Sequence, residues 1–257
     1  MNDVQNFALG TIWEYQIKTP GNPPTYLTSQ IWILVAAAQG IGTWKRLHGS
    51  GSAAAGLINM IYLTATGAGT YTPTPGMTQC IVECVGGGGW SGSARTGAGG
   101  GGYCKKLFDS TIIGASQPYV VGAGGIGSTS TDGTSSTFAS GGILMTAEPG
   151  GNGDGSGSVH PGGGVATGGD INIQGQAGFP VVVNYQGGEP PQTGQSPDGG
   201  ASGFSYGFGG AAPIPINSPP VDGQLYGGGG SGAPFGGGTP MTSNGAQGII
   251  IITEYIF

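Results

Sequence analysis

The sequence predicts an all-β fold, in which a β-sandwich carries inserted glycine-rich loops and follows a small N-terminal β region. Short segments rich in β-branched and aromatic residues recur along the chain, and Gly, Pro, Asn or Asp bounds nearly all of them. The 257 residues include 60 Gly, and each Gly inside a helix costs about 1 kcal/mol relative to Ala, which argues against a helical fold. Charged residues make up 7% and aromatic residues 9%, unlike the charge-rich, aromatic-poor composition of disordered chains.

Residues 1–48 are predicted to form an attachment and oligomerisation region. Three extended segments, 10–19, 26–38 and 42–48, contain three of the four tryptophans of the chain. A β unit of this size buries too little surface to be stable alone, so we expect it to oligomerise or to dock into a larger assembly. The small residues 49–56, Gly-Ser-Gly-Ser-Ala-Ala-Ala-Gly, are predicted to form a linker.

Residues 57–257 are predicted to form the glycine-rich β-sandwich. The strand pattern predicts strands at 57–65, 77–85, 103–113, 117–121, 137–147, 171–174, 180–185 and 248–257. Long glycine-rich tracts separate them, at 86–102, 150–169, 187–210 and 223–238. Residues 1–85 contain 10 Gly and residues 86–257 contain 50, so the chain changes character near Val85.

The conformational entropy cost of the glycines in residues 86–257 must be offset by a favourable interaction. Each Gly costs about 0.5 to 1 kcal/mol of chain entropy relative to Ala, so 50 glycines cost roughly 25 to 50 kcal/mol, more than the net stability of a domain. Close approach of backbones is a gain that only Gly permits. We therefore expect left-handed, polyglycine II-like helices of three residues per turn that bond laterally to one another. Flexible glycine-rich loops are the alternative.

The charge pattern argues against binding to nucleic acid or to an anionic membrane. All six basic residues precede residue 107, and from Asp109 onward there are nine acids and no Lys or Arg. A nucleic-acid interface needs clustered Lys and Arg. The longest apolar stretch, 31–38, is far below the roughly 20 residues that span a bilayer, and the N-terminus does not resemble a signal peptide. We expect no membrane insertion and synthesis in a cytoplasm.

Motifs for catalysis and cofactor binding are weak, so we expect neither an enzyme nor a cofactor. Residues 122–127 match Gly-x-Gly-x-x-Gly after an apolar strand, but a poor helix former follows them. His48 and His160 lie in glycine-rich surroundings without an adjacent acid and nucleophile. Cys80 and Cys84 would share one face of a strand about 13 Å apart, too far for a disulfide. With Cys104 opposite one of them, three buried thiols are predicted, and no metal site.

Seven aromatic residues within the glycine-rich half are candidates for a receptor-binding surface. Flat, rigid side chains on stiff loops lose little entropy on contact and suit sugar faces or the loops of an outer-membrane protein. The alternative is that each ring fills a gap in the glycine scaffold. The candidates are Trp90, Tyr185, Phe204, Tyr206, Phe208, Tyr226 and Phe235.

The order of the glycine motifs is similar to that of a known family. The segment Tyr71-Thr-Pro-Thr-Pro-Gly-Met-Thr-Gln-Cys-Ile-Val-Glu-Cys-Val-Gly-Gly-Gly-Gly resembles the opening of the glycine-rich domain at the C-termini of bacteriophage tail fibre and other receptor-binding proteins. The motifs that follow agree with it: Gly99-Gly-Gly-Gly-Tyr-Cys-Lys-Lys, Tyr119-Val-Val-Gly-Ala-Gly-Gly, Gly168-Gly-Asp-Ile-Asn-Ile-Gln-Gly, Tyr226-Gly-Gly-Gly-Gly-Ser-Gly-Ala and Gly245-Ala-Gln-Gly-Ile-Ile-Ile-Ile-Thr-Glu-Tyr.

This resemblance implies a virion component at a tail fibre or tail tip. It implies a homotrimer whose glycine-rich loops adhere to a glycan or outer-membrane protein of the host, and whose residues 1–48 dock on other tail fibre or baseplate proteins. The chain is also similar to detachable fibre adhesins, in which polyglycine helices form a layered sandwich. A structural or decoration protein of the tail and a surface-glycan depolymerase are the alternatives.

Overall fold

The prediction of an all-β fold is confirmed by the computed structural model, in which strands dominate and the one α-helix among the described residues is four residues long. The residues described are 12–18, 26–38, 41–48, 57–92, 96–153, 161–179, 182–183, 194–195, 198–203, 207–210, 219–232 and 242–256. The predicted linker, 49–56, lies outside them. The chain divides into two compact units, Met1–Asn59 with Tyr255–Phe257, and Met60–Glu254.

The first unit contains an antiparallel three-stranded sheet. Strands β1 (Ile12–Lys18), β2 (Tyr26–Ala38) and β3 (Ile41–His48) lie in the order β1-β2-β3. Trp32 of β2 pairs with Trp13 of β1, and Leu34 pairs with Trp44 of β3. All three strands lie where the extended segments of the sequence predict them.

Two five-stranded sheets form the sandwich, in the orders β12-β7-β6-β17-β4 and β11-β10-β9-β8-β5. Two two-stranded ribbons, β13-β14 and β15-β16, accompany them. The strands are β4 (Leu57–Leu63), β5 (Gly67–Tyr71), β6 (Met77–Val85), β7 (Tyr103–Asp109), β8 (Gln117–Val121), β9 (Ser136–Phe138), β10 (Met145–Ala147), β11 (Ala166–Thr167), β12 (Ile171–Ile173), β13 (Val182–Val183), β14 (Gly194–Gln195), β15 (Gly207–Phe208), β16 (Gln224–Leu225) and β17 (Ile249–Ile256).

Apart from shifts of one or two residues at strand ends, two of the predicted strands differ from the structure. The strand predicted at 103–113 ends at Asp109, whose side chain accepts a hydrogen bond from the Thr111 N–H (2.9 Å) and caps helix α1 (Ser110–Ile113). The segment 137–147 contains two strands, β9 and β10, because a turn that begins with Gly141 at φ 61° reverses the chain. Within the described residues, no helix has the length and apolarity to cross a membrane.

The core of the sandwich lies between the two large sheets. The ring centroids of Phe138 in β9 and Phe108 in β7 are 5.9 Å apart, which joins one sheet to the other. All three cysteines are buried and free, and Cys84 lies directly opposite Cys104 in the β6-β7 pair. The prediction of three buried thiols is therefore confirmed.

The glycine tracts form a laterally bonded bundle in which the hydrogen bonds repeat every three residues. From Gly97 onward, the first and fourth N–H groups donate to segment 176–179, the second and fifth to 227–230, and the third and sixth to 148–151. All six N···O distances are 2.8–2.9 Å. A repeat of three is that of a helix with three residues per turn, so each face of the segment bonds a different neighbour.

The same segment also accepts hydrogen bonds from three further segments. Its carbonyls accept N–H groups from 86–89, 162–164 and 198–203. Segment 97–102 therefore has six bonded neighbours, and all of its residues are buried. This arrangement agrees with the predicted lateral bonding between polyglycine helices and contradicts the alternative of flexible loops for the described tracts.

Glycine is required in the bundle because neighbouring backbones occupy the space of a Cβ. A Cβ built on any of the five glycines of segment 97–102 would lie less than 3.0 Å from backbone atoms of another segment, a separation that real Cβ atoms essentially never show. The steric space for an alanine is therefore absent at most tract positions, and the hydrogen-bonded spacing itself excludes side chains.

A buried carboxylate anchors the last strand of the sandwich. Glu254 in β17 is fully buried, and its Oε1 accepts hydrogen bonds from the Tyr71 hydroxyl (2.6 Å) and the Thr74 N–H (2.9 Å). The Thr74 hydroxyl donates to Oε2 (2.5 Å). Burial, together with the charge of Glu254, raises the pKa of the nearby Cys80 thiol to about 12. This cluster joins β17 to the chain that follows β5.

Adjacent glycines are expected to differ sharply in their tolerance of alanine. A Cβ at Gly163 would collide with the carbonyl group of Gly175, whereas nothing lies within 4 Å of a Cβ at Gly162. We expect Gly163→Ala to lower the free energy of unfolding by about 3 kcal/mol or more, as overpacking against a rigid neighbour does. Gly162→Ala should be neutral or slightly stabilising. Equal unfolding midpoints for the two variants in denaturant would contradict this account.

The buried thiol of Cys80 predicts a loss of stability at alkaline pH. Its pKa is about 12 in the folded chain and 9.0 ordinarily, so between these values the unfolded state releases a proton that the folded state keeps. The free energy of unfolding should therefore fall as the pH rises from about 9 towards 12, by up to about 1.4 kcal/mol per pH unit from this group. Cys80→Ala should reduce that slope, and an unchanged slope would exclude the thiol as a cause.

Candidate functional site

The glycine bundle has one end at the sheets and one end away from them. At the sheets, Gly86, just after β6, donates to Gly102, just before β7 (3.0 Å). At the other end Gly92 donates to Gly153 (2.9 Å), and Ser91 and Ser243 exchange two hydrogen bonds (2.9 and 3.0 Å). We call this second end the distal end, which comprises residues 90–92, 125–133, 151–153, 178–179, 222 and 242–244.

Three turns of the distal end are joined by a ring of hydrogen bonds around Trp90. The Trp90 backbone N–H donates to Asn152 Oδ1 (3.2 Å), and the Asn152 amide donates to Asp132 Oδ1 (2.6 Å). The indole Nε1–H of Trp90 donates to the same Asp132 oxygen (3.4 Å). Trp90 is half-buried and Asp132 is exposed. The ring of bonds fixes the indole at the surface beside an accessible carboxylate.

Glycines make room for the indole. A Cβ at Gly125 would lie 2.9 Å from Trp90 Cδ1, and one at Gly92 would lie 3.0 Å from Trp90 Cζ3. The turn that carries Asp132 is closed by two hydrogen bonds between the backbones of Ile126 and Thr131 (2.8 and 3.0 Å). Gly92 and Gly125 therefore leave the space that the Trp90 side chain occupies, as other glycines leave space for neighbouring backbones in the bundle.

A second polar cluster holds the adjacent turns of the distal end. Asp222 accepts the backbone N–H of Asn244 through Oδ1 (2.7 Å) and its side-chain amide through Oδ2 (3.3 Å). Asn244 Oδ1 in turn accepts the Gly127 N–H (2.9 Å). The buried hydroxyls of Ser91 and Ser243 donate to the carbonyls of Thr96 (2.8 Å) and Ser231 (2.6 Å). These bonds satisfy polar groups where the tracts end.

The structure separates the aromatic residues that the sequence grouped together. Trp90 lies at the distal end, whereas Tyr226 packs against the core cluster of Val85, Tyr103, Ile249 and Ile251 beside the sheets. That position favours the alternative of gap filling for Tyr226. Phe208 belongs to β15, and its side chain is not described. Tyr185, Phe204, Tyr206 and Phe235 lie outside the described residues.

Sequence reasoning missed the polar partners of Trp90 and one exposed ring. Asp132 and Asn152 are 42 and 62 residues from Trp90, and no spacing pattern connects them. Phe179 has 45% of its surface exposed, and its carbonyl accepts the Gly97 N–H (2.9 Å). A Phe directly after a Gly, between two glycine-rich tracts, is the signal that could identify it.

The distal end offers acceptors and apolar faces and lacks positive charge in its described part. Asp132 and Asp222 are both exposed there. In the described segments of the chain, no group of three or more His, Cys, Asp or Glu side chains is placed to hold a metal ion. Chemically, the arrangement suits hydrogen bonding and stacking against a ligand.

Removal of the Asp132 carboxylate is expected to release the Trp90 indole. In Asp132→Ala the Trp90 Nε1–H loses its acceptor, so its ¹⁵N–¹H resonance should shift and its hydrogen should exchange faster. The free energy of unfolding should change by only about 1 kcal/mol, because the site is exposed. Trp90→Phe identifies the resonance. Asp109→Ala, which removes the carboxylate that caps α1, is the control and should leave it in place; an identical spectrum for Asp132→Ala would refute the contact.

A scan against protein-family models and a search of curated proteins each found no match to this chain. Its function is accordingly inferred from its residues and their geometry.

Proposed function

We propose that this chain is a non-enzymatic receptor-binding protein of a bacteriophage tail fibre or tail tip, which adheres to the host surface through its distal end. The observation that carries the proposal is the rigid bundle, in which backbone hydrogen bonds hold several chain turns together at one end. A surface whose parts are already ordered loses little conformational entropy on binding. Rigid presentation of turns is the property that adhesion requires.

Backbone hydrogen bonds also join neighbouring segments at this end. The Phe179 carbonyl accepts the Gly97 N–H (2.9 Å), and the Phe179 N–H donates to the Asp198 carbonyl (3.1 Å). The backbone of Phe179 is thus bonded on two sides, while its side chain is exposed.

In this proposal the assembled protein is a homotrimer within the virion. Residues 1–48 attach it to other tail fibre or baseplate proteins, and three distal ends contact a glycan or an outer-membrane protein. Several weak sites on one particle raise the avidity without requiring any single tight contact. The order of the glycine motifs, which is similar to that of tail fibre proteins, supports this assignment.

A structural protein of the tail is the second candidate, and the surface of β4 favours it. Ile58, Met60 and Tyr62 alternate along this edge strand and are each more than half exposed. Exposed apolar side chains that lie together mark a contact with another protein. Under this alternative the protein has no contact with the receptor.

Binding to cells distinguishes the two candidates. The labelled full-length chain is incubated with a panel of bacterial strains and competed against phage adsorption. We expect saturable binding to a subset of strains, reduced at least about tenfold in the double variant Trp90→Ala/Phe179→Ala. Tyr62→Ala, an exposed aromatic on β4, should bind as the unaltered chain does.

Failure to bind any strain and to compete with adsorption would reject the receptor-binding proposal. Loss of the chain from virions in Tyr62→Ala, with unaltered adsorption of particles that carry Trp90→Ala/Phe179→Ala, would favour the structural role instead. Release of oligosaccharides from purified lipopolysaccharide or capsule would identify a depolymerase and reject the non-enzymatic assignment.

A further inference from the structure

We propose that Trp90, Asp132 and Asn152 form a binding site for one sugar unit of a neutral surface glycan. The inference rests on the proposed adhesive function and names the class of ligand. A sugar ring has one apolar C–H face and a rim of hydroxyl groups, so its recognition needs an aromatic surface beside hydrogen-bonding groups that both accept and donate. The three side chains supply these elements at one place on the distal end.

The polar groups of the site can form hydrogen bonds to a ligand in addition to those they form with each other. Asp132 Oδ1 accepts from Trp90 Nε1 and Asn152 Nδ2. Among the described residues, no donor reaches Asp132 Oδ2, which lies on an exposed residue. The Asn152 amide uses one of its two hydrogens in the bond to Asp132, which leaves the second as a donor. An acceptor and a donor therefore lie side by side, as two neighbouring sugar hydroxyls require.

The site is ordered before any ligand arrives. Trp90 N–H, Asn152 and Asp132 close a ring of hydrogen bonds, and the Gly153 N–H donates to the Trp90 carbonyl (2.9 Å). The indole is thereby fixed at the edge of a bundle whose own backbone is bonded on several sides. Pre-ordering of this kind reduces the entropy that a weak ligand would otherwise have to overcome.

The charge of this part of the chain selects a neutral glycan over an anionic one. Asp132 contributes a carboxylate to the site itself, and Asp222 lies exposed on the same end. From residue 107 onward the chain contains no Lys or Arg, its net charge is −6, and the basic residue nearest to Trp90 in the sequence, Arg95, lies outside the described residues. Sialylated or phosphorylated sugars would meet like charges, which lowers both association rate and affinity. Hexoses and N-acetylhexosamines carry no such penalty.

A single sugar suits the site better than a protein receptor does. A stable contact between two proteins buries about 800 Å² on each partner, far more than three side chains provide. A ring stacked on the indole needs only the aromatic face and the two polar groups beside it. We therefore assign the site to a glycan, and a protein receptor becomes an outcome of the test.

The test uses the full-length chain and an array of neutral hexose and N-acetylhexosamine oligosaccharides, with sialylated and phosphorylated forms of the same backbones. We expect binding to a subset of the neutral members, and titration with one of them should shift the Trp90 Nε1–H resonance. Trp90→Ala and Asp132→Ala should weaken this binding by about tenfold or more, whereas Tyr62→Ala should retain it. Trp90→Phe keeps an aromatic face and should retain part of the affinity.

The outcomes separate this inference from the proposed function. Cells that bind the chain but lose it after protease treatment, with no oligosaccharide bound, would overturn the glycan site and leave adhesion to a protein receptor. Stronger binding to anionic members than to neutral ones would also overturn it. Absence of binding to cells as well as to sugars would reject the adhesive function itself. Should the alanine variants fail to fold, the titration of Trp90 in the unaltered chain decides the matter.

Discussion

The lateral hydrogen bond between glycine backbones is the interaction on which the rest of this structure depends. Segment 97–102 donates to three neighbouring segments and accepts from three others, all at backbone spacing that leaves no room for a Cβ. These bonds satisfy the buried N–H and C=O groups that a chain without strands or helices would otherwise leave unpaired. The conformational cost of the glycines is offset because each glycine contributes to a contact that a larger residue would prevent.

A strand and a glycine tract also differ in the directions in which their backbones form hydrogen bonds. A strand repeats every two residues and bonds its neighbours within one sheet, whereas a helix of three residues per turn points its bonding groups in three directions. Between Val85 and Gly86 the chain passes from the first arrangement to the second, and between Gly102 and Tyr103 it returns. The sandwich contributes the hydrophobic core, including Phe108 and Phe138, and the bundle extends from it. Hydrophobic burial and backbone bonding thus stabilise different parts of one unit.

The candidate site lies at the distal end of the glycine bundle, and its residues are brought together by the bonding of the bundle. Three turns brought together at the distal end place Trp90, Asp132 and Asn152 in one ring of hydrogen bonds. Each residue comes from a different segment of the chain, so the ring exists only because these segments are bonded to each other. Exposed groups such as Asp132 and Phe179 are supported by a backbone with few conformations left to lose. This combination of stiffness and exposure suits adhesion, in which weak contacts act in parallel.

The sequence by itself determined the all-β class, most strand positions, the buried thiols and the need for close backbone packing, because these depend on local alternation, turn residues and glycine content. It did not determine the end of β7 at Asp109, where a side-chain cap starts a helix, or the reversal at Gly141 between β9 and β10. It also could not place Tyr226 against the core cluster or join Trp90 to Asp132 and Asn152. Those contacts connect residues that are far apart in the chain. The glycine tracts resemble one another in sequence, so the sequence allows many lateral arrangements of them. Only the tertiary structure decides which tracts are neighbours, and therefore which side chains come into contact.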